Sequence, residues 1–549
     1  MSKYTISAYM YFFYRKRKLL REFIKFTMDS VKHHSFFEQY ITTLNLNKCP
    51  IPKQPVPDLE QTAERYLRSV KPLLTDDEYK NTKKIVDDFI SHTSAGSQLH
   101  TKLRERYQNT DNWMKDWWLE VVYLGYRMPV IVHSSPGIIG PPIIFQQPDD
   151  VYVYAARLIA GVCDYNEMVK NGKLKQEMTR NDPLDMQLYA MILGTHRKPG
   201  EIVDKLLHTD EATHIIIICN NNFFKLYVVD KNGILSEGKL VAAIKDIANR
   251  SCIQGKPIGI LTGNDRDTWV KDYNLLLELG NNRNIIKDIE TSLFILCLDK
   301  DIPKDAFKEK NNASVRAIQA LTGYNSCTNA GNRWHDHTVQ YIVSTDGFMG
   351  MGFEHSPCEG IPFAALQDHV LKYIKIPAQY ESAALRRFIN ARTECIRSTS
   401  IESVEFVKAM HLADCENKQQ KKKLLIKAIN AHKKLAEQAI TGQGVDRHLF
   451  GLRMIAKSEG MELPELYKDV GYTRSTHFNV TSSQLPFKTA SFACYGPVVS
   501  DGYGCCYNPR PKDILFAISS FKSCSETNTR DFARILQQTL IGMRDIGSD

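Results

Sequence analysis

Apolar and polar positions change rhythm several times along the 549 residues of this chain. A Pro-rich stretch, "CPIPKQPVPDLEQ" (49–61), reads as an extended lead-in. Apolar residues then recur with a helical period over 59–71, 75–93 and 112–126, the first helix starting near Asp58. From 213 the texture becomes that of strands. "THIIIICNNNFFKLYVVDKNG" holds two apolar runs around Asn-Asn-Asn, the pattern of a hairpin. Helices are predicted at 239–250, 266–280 and 284–291, and strands at "PIGILTG" and "SLFILCLD". "TVQYIVSTDGFMGMGFEH" reads as another strand pair, turning at Asp346–Gly347. Past 376 the chain is mainly helical to about 460. Strands around "FACYGPVV", "GCCYNP" and "ILFAISSF" follow, then a last helix over 526–545. No internal repeat or long low-complexity segment interrupts this order, which predicts α/β (α+β) layers in two domains.

Composition narrows the picture. A chain of this length builds two or more cores. Its 43% hydrophobic and 24% charged residues are the balance of a soluble globular protein. The net charge of +9 suits a polyanionic small ligand such as a nucleotide, but it is too dispersed for a nucleic-acid partner. The 13 cysteines are scattered without a C-x-x-C pair, so they read as reduced thiols of an intracellular protein, and no metal site is expected. No stretch approaches the roughly 18 apolar residues of a membrane span. At the N-terminus an aromatic run precedes a basic cluster, Arg15–Arg21, the reverse of a secretory signal. A mitochondrial presequence and a basic surface helix both stay open there, giving a mitochondrial or cytoplasmic location. The closing "RDIGSD" is no peroxisomal tripeptide.

Four stretches are hard to explain as scaffold. His355 ends an apolar strand, and Pro357 and Gly360 stop that strand directly after it. A neutral imidazole is well suited to taking a proton from a hydroxyl or thiol near pH 7. It must be kept in one tautomer, and a tight turn through Pro357 brings backbone carbonyls close. A histidine at a strand end is more often a structural residue, so position alone leaves both readings open. In "WHDH" (334–337), His335 and His337 are rivals, but they lack a third ligand nearby. "NVTSSQLP" (479–486) presents three consecutive hydroxyls, either the solvated face of an edge strand or donors to a developing oxyanion. The third and fourth stretches are "ARTECIRS" (391–398) and "GQGVDRHLFGL" (442–452). The latter places Arg447 on a helical turn beside apolar residues. A half-buried arginine needs an anion, either an internal carboxylate or that of a ligand.

Taken together, "NRWHDHTVQYIVSTDG…EHSPCEG", "YESAALRRF", "RTECIRS", "VDRHLFGL", "TSSQLP" and "YGPVVSDGYGCCYNP…SSFKSCSETN" resemble the choline/carnitine acyltransferase family, in the family's order. "GILTGNDRDTW" and "DNWMKDWWLEVVYLGYRMPV" extend the likeness, which covers roughly 55–545. The resemblance implies a two-domain, CoA-dependent acyltransferase fold similar to chloramphenicol acetyltransferase, with a tunnel between the domains. Residues 1–54 would be a basic extension, 55–375 the domain carrying the histidine, and 376–549 the second domain. It implies that His355 is a general base acting on the alcohol in one direction and on the CoA thiol in the other, without an acyl-enzyme. Glu359 would pair with Arg392 and fix the loop around the imidazole. Ser483, last of the family's Ser-Thr-Ser motif (here Thr481-Ser482-Ser483), would donate to the tetrahedral oxyanion. No permanently bound cofactor is implied; CoA and acetyl-CoA are substrates, and a monomer is expected.

The resemblance also bears on substrates. Thr393 and Arg447 stand where carnitine-using members carry them, and Tyr123, Tyr380 and Ser382 match positions that complete the carnitine site. A fixed cation balances the carnitine carboxylate and would repel choline. "EHSP" and "CYGPVV" look more like choline-using members, which keeps choline as the alternative. Ala493 aligns with a methionine that closes the acyl pocket in acetyl-transferring members. The smaller side chain leaves room for a few methylenes, each worth ~0.8 kcal/mol when buried, so short acyl groups are expected and medium ones stay open. Lys433 and Gln484 match CoA-contact positions, whereas Ala384 replaces a serine that contacts CoA. The clearest departure is a gap: "LKYIKIP" runs straight into "AQYESAALRRF", where relatives have several tens of additional residues, including lysines that bind the CoA phosphates. Either the chain reflects an incomplete gene model or splice form, or it is a catalytically impaired homologue.

Overall fold

The apolar runs from 214 onward form strands because both of their faces are covered. In His214–Cys219, Ile215 and Ile217 enter one core, and Ile216 and Ile218 enter the core on the opposite face. The computed structural model describes residues 44, 46–179, 182–231, 233–309, 311–374, 387–411, 418–510 and 512–547. Ten strands matter here: β1 (Gly137–Ile139), β2 (His214–Cys219), β3 (Asn222–Tyr227), β4 (Ile295–Asp299), β5 (Val339–Ser344), β6 (Met349–Phe353), β7 (Val480–Ser483), β8 (Phe492–Cys494), β9 (Tyr503–Pro509) and β10 (Ile514–Ser519). Seven of them build a mixed sheet in the order β8-β1-β6-β5-β4-β2-β3. The central pairs β2–β4 and β4–β5 are parallel; the flanking pairs are antiparallel.

Both expected hairpins are present. Asn220 and Asn221 turn the first, with φ of 50° and 63°, a left-handed pair that asparagine tolerates. Gly347, at φ 81°, turns the second, where a Cβ would lie 1.9 Å from the Ile143 carbonyl oxygen. "PIGILTG" is a correction: Ile258–Gly263 is a 3-10 helix, not a strand. A Cβ on Gly259 would lie 2.0 Å from the Arg333 carbonyl oxygen, so this glycine serves a close backbone approach rather than a ladder. Helices Ala95–Asn109, Asn312–Thr322 and Gly360–Tyr373 went unpredicted, and so did Asp150–Lys170. The latter packs against helices Glu237–Arg250 and Gly360–Tyr373. Its apolar residues therefore leave no clean stripe.

Two packings cross residue 375. Strand β8 pairs with β1 and completes the large sheet. Helix Val445–Ser458 shares a core with the N-terminal helices Leu59–Val70, Asp76–Ile90 and Ala95–Asn109, with Leu449 and Leu452 against Leu99, Leu103 and Trp113. Asp58 caps the first of these helices by accepting from the Gln61 N–H, as expected. Strands β7, β9 and β10 form a separate three-stranded sheet with β7 at its edge. Among the described helices none is long and apolar enough to cross a membrane, and every described cysteine is free.

Candidate active site

His355 lies two residues beyond β6, and the backbone pins it from both sides. The Glu354 N–H donates to the Thr338 carbonyl at 3.0 Å, and the His355 N–H donates to the Ser134 carbonyl at 2.8 Å. Helix Gly360–Tyr373 then begins at once, with Glu359 at its cap position. The imidazole is part-exposed. It lies parallel to the Tyr123 ring, with centroids 5.9 Å apart, and Nδ1 is 3.2 Å from the Tyr123 hydroxyl. Tyr123 belongs to a single π-helical turn, Leu119–Leu124, a distortion frequent at functional sites. Burial holds the imidazole below its ordinary pKa; Glu359 pulls it back up and Arg392 adds to the depression. The ring is therefore neutral at pH 7.

Arg392 organises the loop. It pairs with Glu359 and donates to the carbonyls of Ser356 at 2.9 Å and His355 at 3.0 Å. Its guanidinium sits 4.9 Å from the centre of the Tyr123 ring. Burial acts to raise the Glu359 carboxyl, but Arg392 and His355 outweigh it and keep Glu359 below the ordinary carboxylate value. The carbonyls of the turn thus serve the arginine, and the described side-chain partner of Nδ1 is Tyr123. The family resemblance implies a place for Tyr123 in the carnitine site; its described side-chain contacts are with His355 and Arg392.

A second cluster surrounds Arg447, which is 5% exposed. Its Nε donates to the Thr393 carbonyl at 2.8 Å, and Nη2 donates to the same oxygen. The guanidinium stacks 3.6 Å from the centre of the Trp118 ring, one turn before Tyr123 on the same helical stretch. Glu394 stands 4.0 Å away. Of the two anions anticipated for this arginine, the internal carboxylate is thus present, near the guanidinium but beyond hydrogen-bond distance. The helix holding Arg447 is fixed from behind, where His448 bonds Thr62 at 2.7 Å and His100 at 3.1 Å.

The remaining predicted residues lie apart from these two clusters. Ser483 is exposed on β7, as are Ser482 and Gln484 just beside it. Leu485 packs over Gly360, where a Cβ would meet it at 2.5 Å, so this strand end borders the His355 loop. Ala493 is buried in β8 opposite Ile138. Lys433 is exposed on helix Lys418–Ile440. Tyr380, Ser382 and Ala384 lie outside the described residues. His335 and His337 are core histidines, pushed by burial to about 3 and about 4. Glu394, Cys395 and Asp446 bring their ligand atoms within 4.8 Å of one another. Asp446 is chelated by Arg397 at 2.9 and 3.1 Å, however, and burial pushes the Cys395 thiol up to about 11. This is an ion-pair cluster rather than a metal site.

Sequence reasoning missed a buried ion network behind the imidazole. Glu354 accepts from Arg197 at 3.0 Å, and Arg197 also donates to the Tyr123 carbonyl at 2.7 Å. Asp204 bridges Arg197 and Arg266 at 2.8 and 2.7 Å, and Arg266 holds Asp336 at 2.6 Å. All five side chains are at most 1% exposed. The signal available was the pairing of two acids with one histidine in "FEHSPCE": a second acid beside the candidate base needs its own cation.

His355 thus ends its strand as an imidazole held below its ordinary pKa, with its loop locked by the Arg392–Glu359 pair. The chain belongs to the choline/carnitine O-acyltransferase family, whose model, described as Choline/Carnitine o-acyltransferase, matches residues 54–377 and 372–538. Carnitine O-acetyltransferase of Columba livia is 36% identical over 594 residues, covering 91% of this chain and 94% of its own length. The Mus musculus protein of the same name is 35% identical over 586 residues, covering 90% and 93%. Choline O-acetyltransferase of Danio rerio is 32% identical over 597 residues, covering 91% and 93%. The two family segments meet at 372–377, where the sequence suggested a gap. The alignment with the Columba protein spans 594 positions but uses 91% of 549 residues, which leaves roughly ninety positions without a residue here.

Proposed function

We propose that the protein transfers a short acyl group, such as acetyl, between CoA and the hydroxyl of carnitine. The observation that carries this reading is His355 in its Arg392–Glu359 frame, stacked on Tyr123, whose helical stretch also carries the Trp118 ring under the buried Arg447. In the tautomer required, Nδ1–H donates to the Tyr123 oxygen and Nε2 keeps its lone pair. Nε2 takes the proton of the carnitine hydroxyl as that oxygen attacks the thioester carbonyl of acyl-CoA. The tetrahedral oxyanion accepts a hydrogen bond from the Ser483 hydroxyl, an interaction typically worth ~10²–10³ in rate. Collapse expels the CoA thiolate, which recovers the proton from the imidazolium. The Arg392–Glu359 pair holds the loop while the ring charge alternates. Arg447 receives the carnitine carboxylate, which supports carnitine over choline, since a buried cation without its anion penalises a purely cationic alcohol. Ala493 lines the acyl pocket, and Lys433 and Gln484 face CoA.

The test is CoA release from acetyl-CoA with carnitine and choline in parallel. At acetyl-CoA concentrations high enough to offset the weak CoA binding expected of this chain, turnover with carnitine above that with choline is expected. Turnover with choline alone would make the protein a choline acyltransferase.

A further inference from the structure

Arg447 has more than one use for its charge. Nε and Nη2 face the Thr393 carbonyl, and the plane stacks on Trp118. Among the described residues, Nη1 finds only the Cys395 sulfur at 3.9 Å and the Glu394 carboxylate at 4.0 Å. Glu394 cannot approach further without strain, because its carboxyl is already fixed. It accepts the Cys395 N–H at 2.9 Å and the Arg447 N–H at 3.4 Å. It also lies against Gly444, where a Cβ would meet it at 2.5 Å. Its side chain is 6% exposed. A second carboxylate arriving at Nη1 would put two buried anions on one guanidinium, an arrangement that drives a proton onto one of them.

We propose that Glu394 is a specificity-determining residue: it takes up a proton when the carboxylate of a zwitterionic alcohol such as carnitine docks on Arg447, and keeps its charge when a purely cationic alcohol such as choline binds. This rests on the carnitine side of the function proposed above. Glu394 is the group prepared for the change, since burial already pushes its carboxyl up to about 7. The other charged groups around it are committed. Asp446 is chelated by Arg397, which also lies over the Tyr66 ring. Burial keeps the Cys395 thiol protonated, near 11. His355 belongs to the neighbouring cluster and is controlled for separately.

The experiment is calorimetry of carnitine binding to the full chain near pH 8, in two buffers of different ionisation enthalpy, with choline in parallel. Uptake approaching one proton per carnitine is expected, and none for choline. The same uptake is expected in His355→Ala, which removes the imidazole as its source. Glu394→Gln should bind carnitine about tenfold tighter at that pH, one pH unit above the Glu394 titration, without proton uptake; Glu394→Asp should restore the uptake. Carnitine binding with equal buffer-corrected heats overturns this inference alone, as does uptake that persists in Glu394→Gln. If Glu394→Gln fails to fold, the two-buffer measurement on the native chain decides. Absence of carnitine binding at every pH overturns both this inference and the carnitine reading.

Discussion

At the residue scale, the proposed chemistry turns on keeping one imidazole neutral. His355 sits below its ordinary pKa because burial disfavours its charged form. The acid limb of kcat/KM is therefore expected below pH 6.5, the value of a free imidazole. His355→Ala should lose ~10²–10⁴-fold in transfer while keeping its melting temperature. A variant retaining activity within tenfold of the parent would remove His355 from the mechanism. Arg447 makes a second residue-scale case. Its bonds to the Thr393 carbonyl and its stacking on Trp118 are structural, whereas Nη1 is the group that the proposed function assigns to the carnitine carboxylate. Arg447→Asn should raise KM for carnitine steeply, since a charged hydrogen-bond partner is worth ~1.5–3 kcal/mol, and it should improve choline. An unchanged carnitine KM would show that the arginine only braces the 393–395 segment.

At the element scale, the sequence was most legible where a single local rule decided the outcome. Apolar runs buried on both faces marked β2, β4 and β5, and Asn-Asn-Asn and Asp346–Gly347 marked the turns. The end of β6 was legible too, because Pro357 and Gly360 must stop it. "PIGILTG" misled because its glycines answer to the Arg333 backbone, a partner far along the chain. Helix Asp150–Lys170 was hidden because tertiary packing covers nearly all of it. In the site, the Glu359–Arg392 pair was foreseen through the family resemblance. The Glu354–Arg197–Asp204–Arg266–Asp336 chain was not: only Arg197 and Asp204 are near in sequence, and Arg266, Asp336 and Glu354 come from three further segments with no shared spacing. The split between legible and hidden thus follows contact distance along the chain. Strand β7 shows the same limit: its hydroxyls read as an exposed edge or as oxyanion donors, and they are both at a sheet edge and beside the His355 loop.

At the scale of the whole molecule, two properties are built in. The first is acid sensitivity. Nine histidines, His100, His133, His196, His208, His214, His335, His337, His355 and His448, are all held below their ordinary pKa, each chiefly by burial. Each binds its proton less readily in the native state than its unfolded counterpart, which titrates near 6.5, so the unfolded chain binds more protons and stability is lost as pH falls through 6.5. For His208 and His337, pushed down to about 4, the loss reaches ~3 kcal/mol apiece once pH nears that value. Glu394, Asp368, Asp210 and Asp336, raised by burial, act in the opposite sense but are outnumbered. The melting temperature should therefore drop steadily from pH 7 to pH 5, and a flat profile would contradict the assignment. The second property follows from the gap. The family match breaks at 372–377, and the sheet bearing Ser483 has only β7, β9 and β10 among the described residues, with Val480 and Ile514 about half exposed. The segment missing there is the one that, by the family resemblance, carries lysines for the CoA phosphates. Each such contact is a charge-assisted bond of ~1.5–3 kcal/mol. Losing two weakens binding by two or more powers of ten, while the Arg447 side keeps its described residues. Calorimetry on this chain should accordingly find CoA binding weak or absent, and carnitine binding retained. Micromolar CoA affinity would refute the argument and transfer the phosphates to other cations, first Lys433 and the "QKKK" run at 420–423 on the same helix. Loss of that affinity in Lys433→Ala would then identify the replacement.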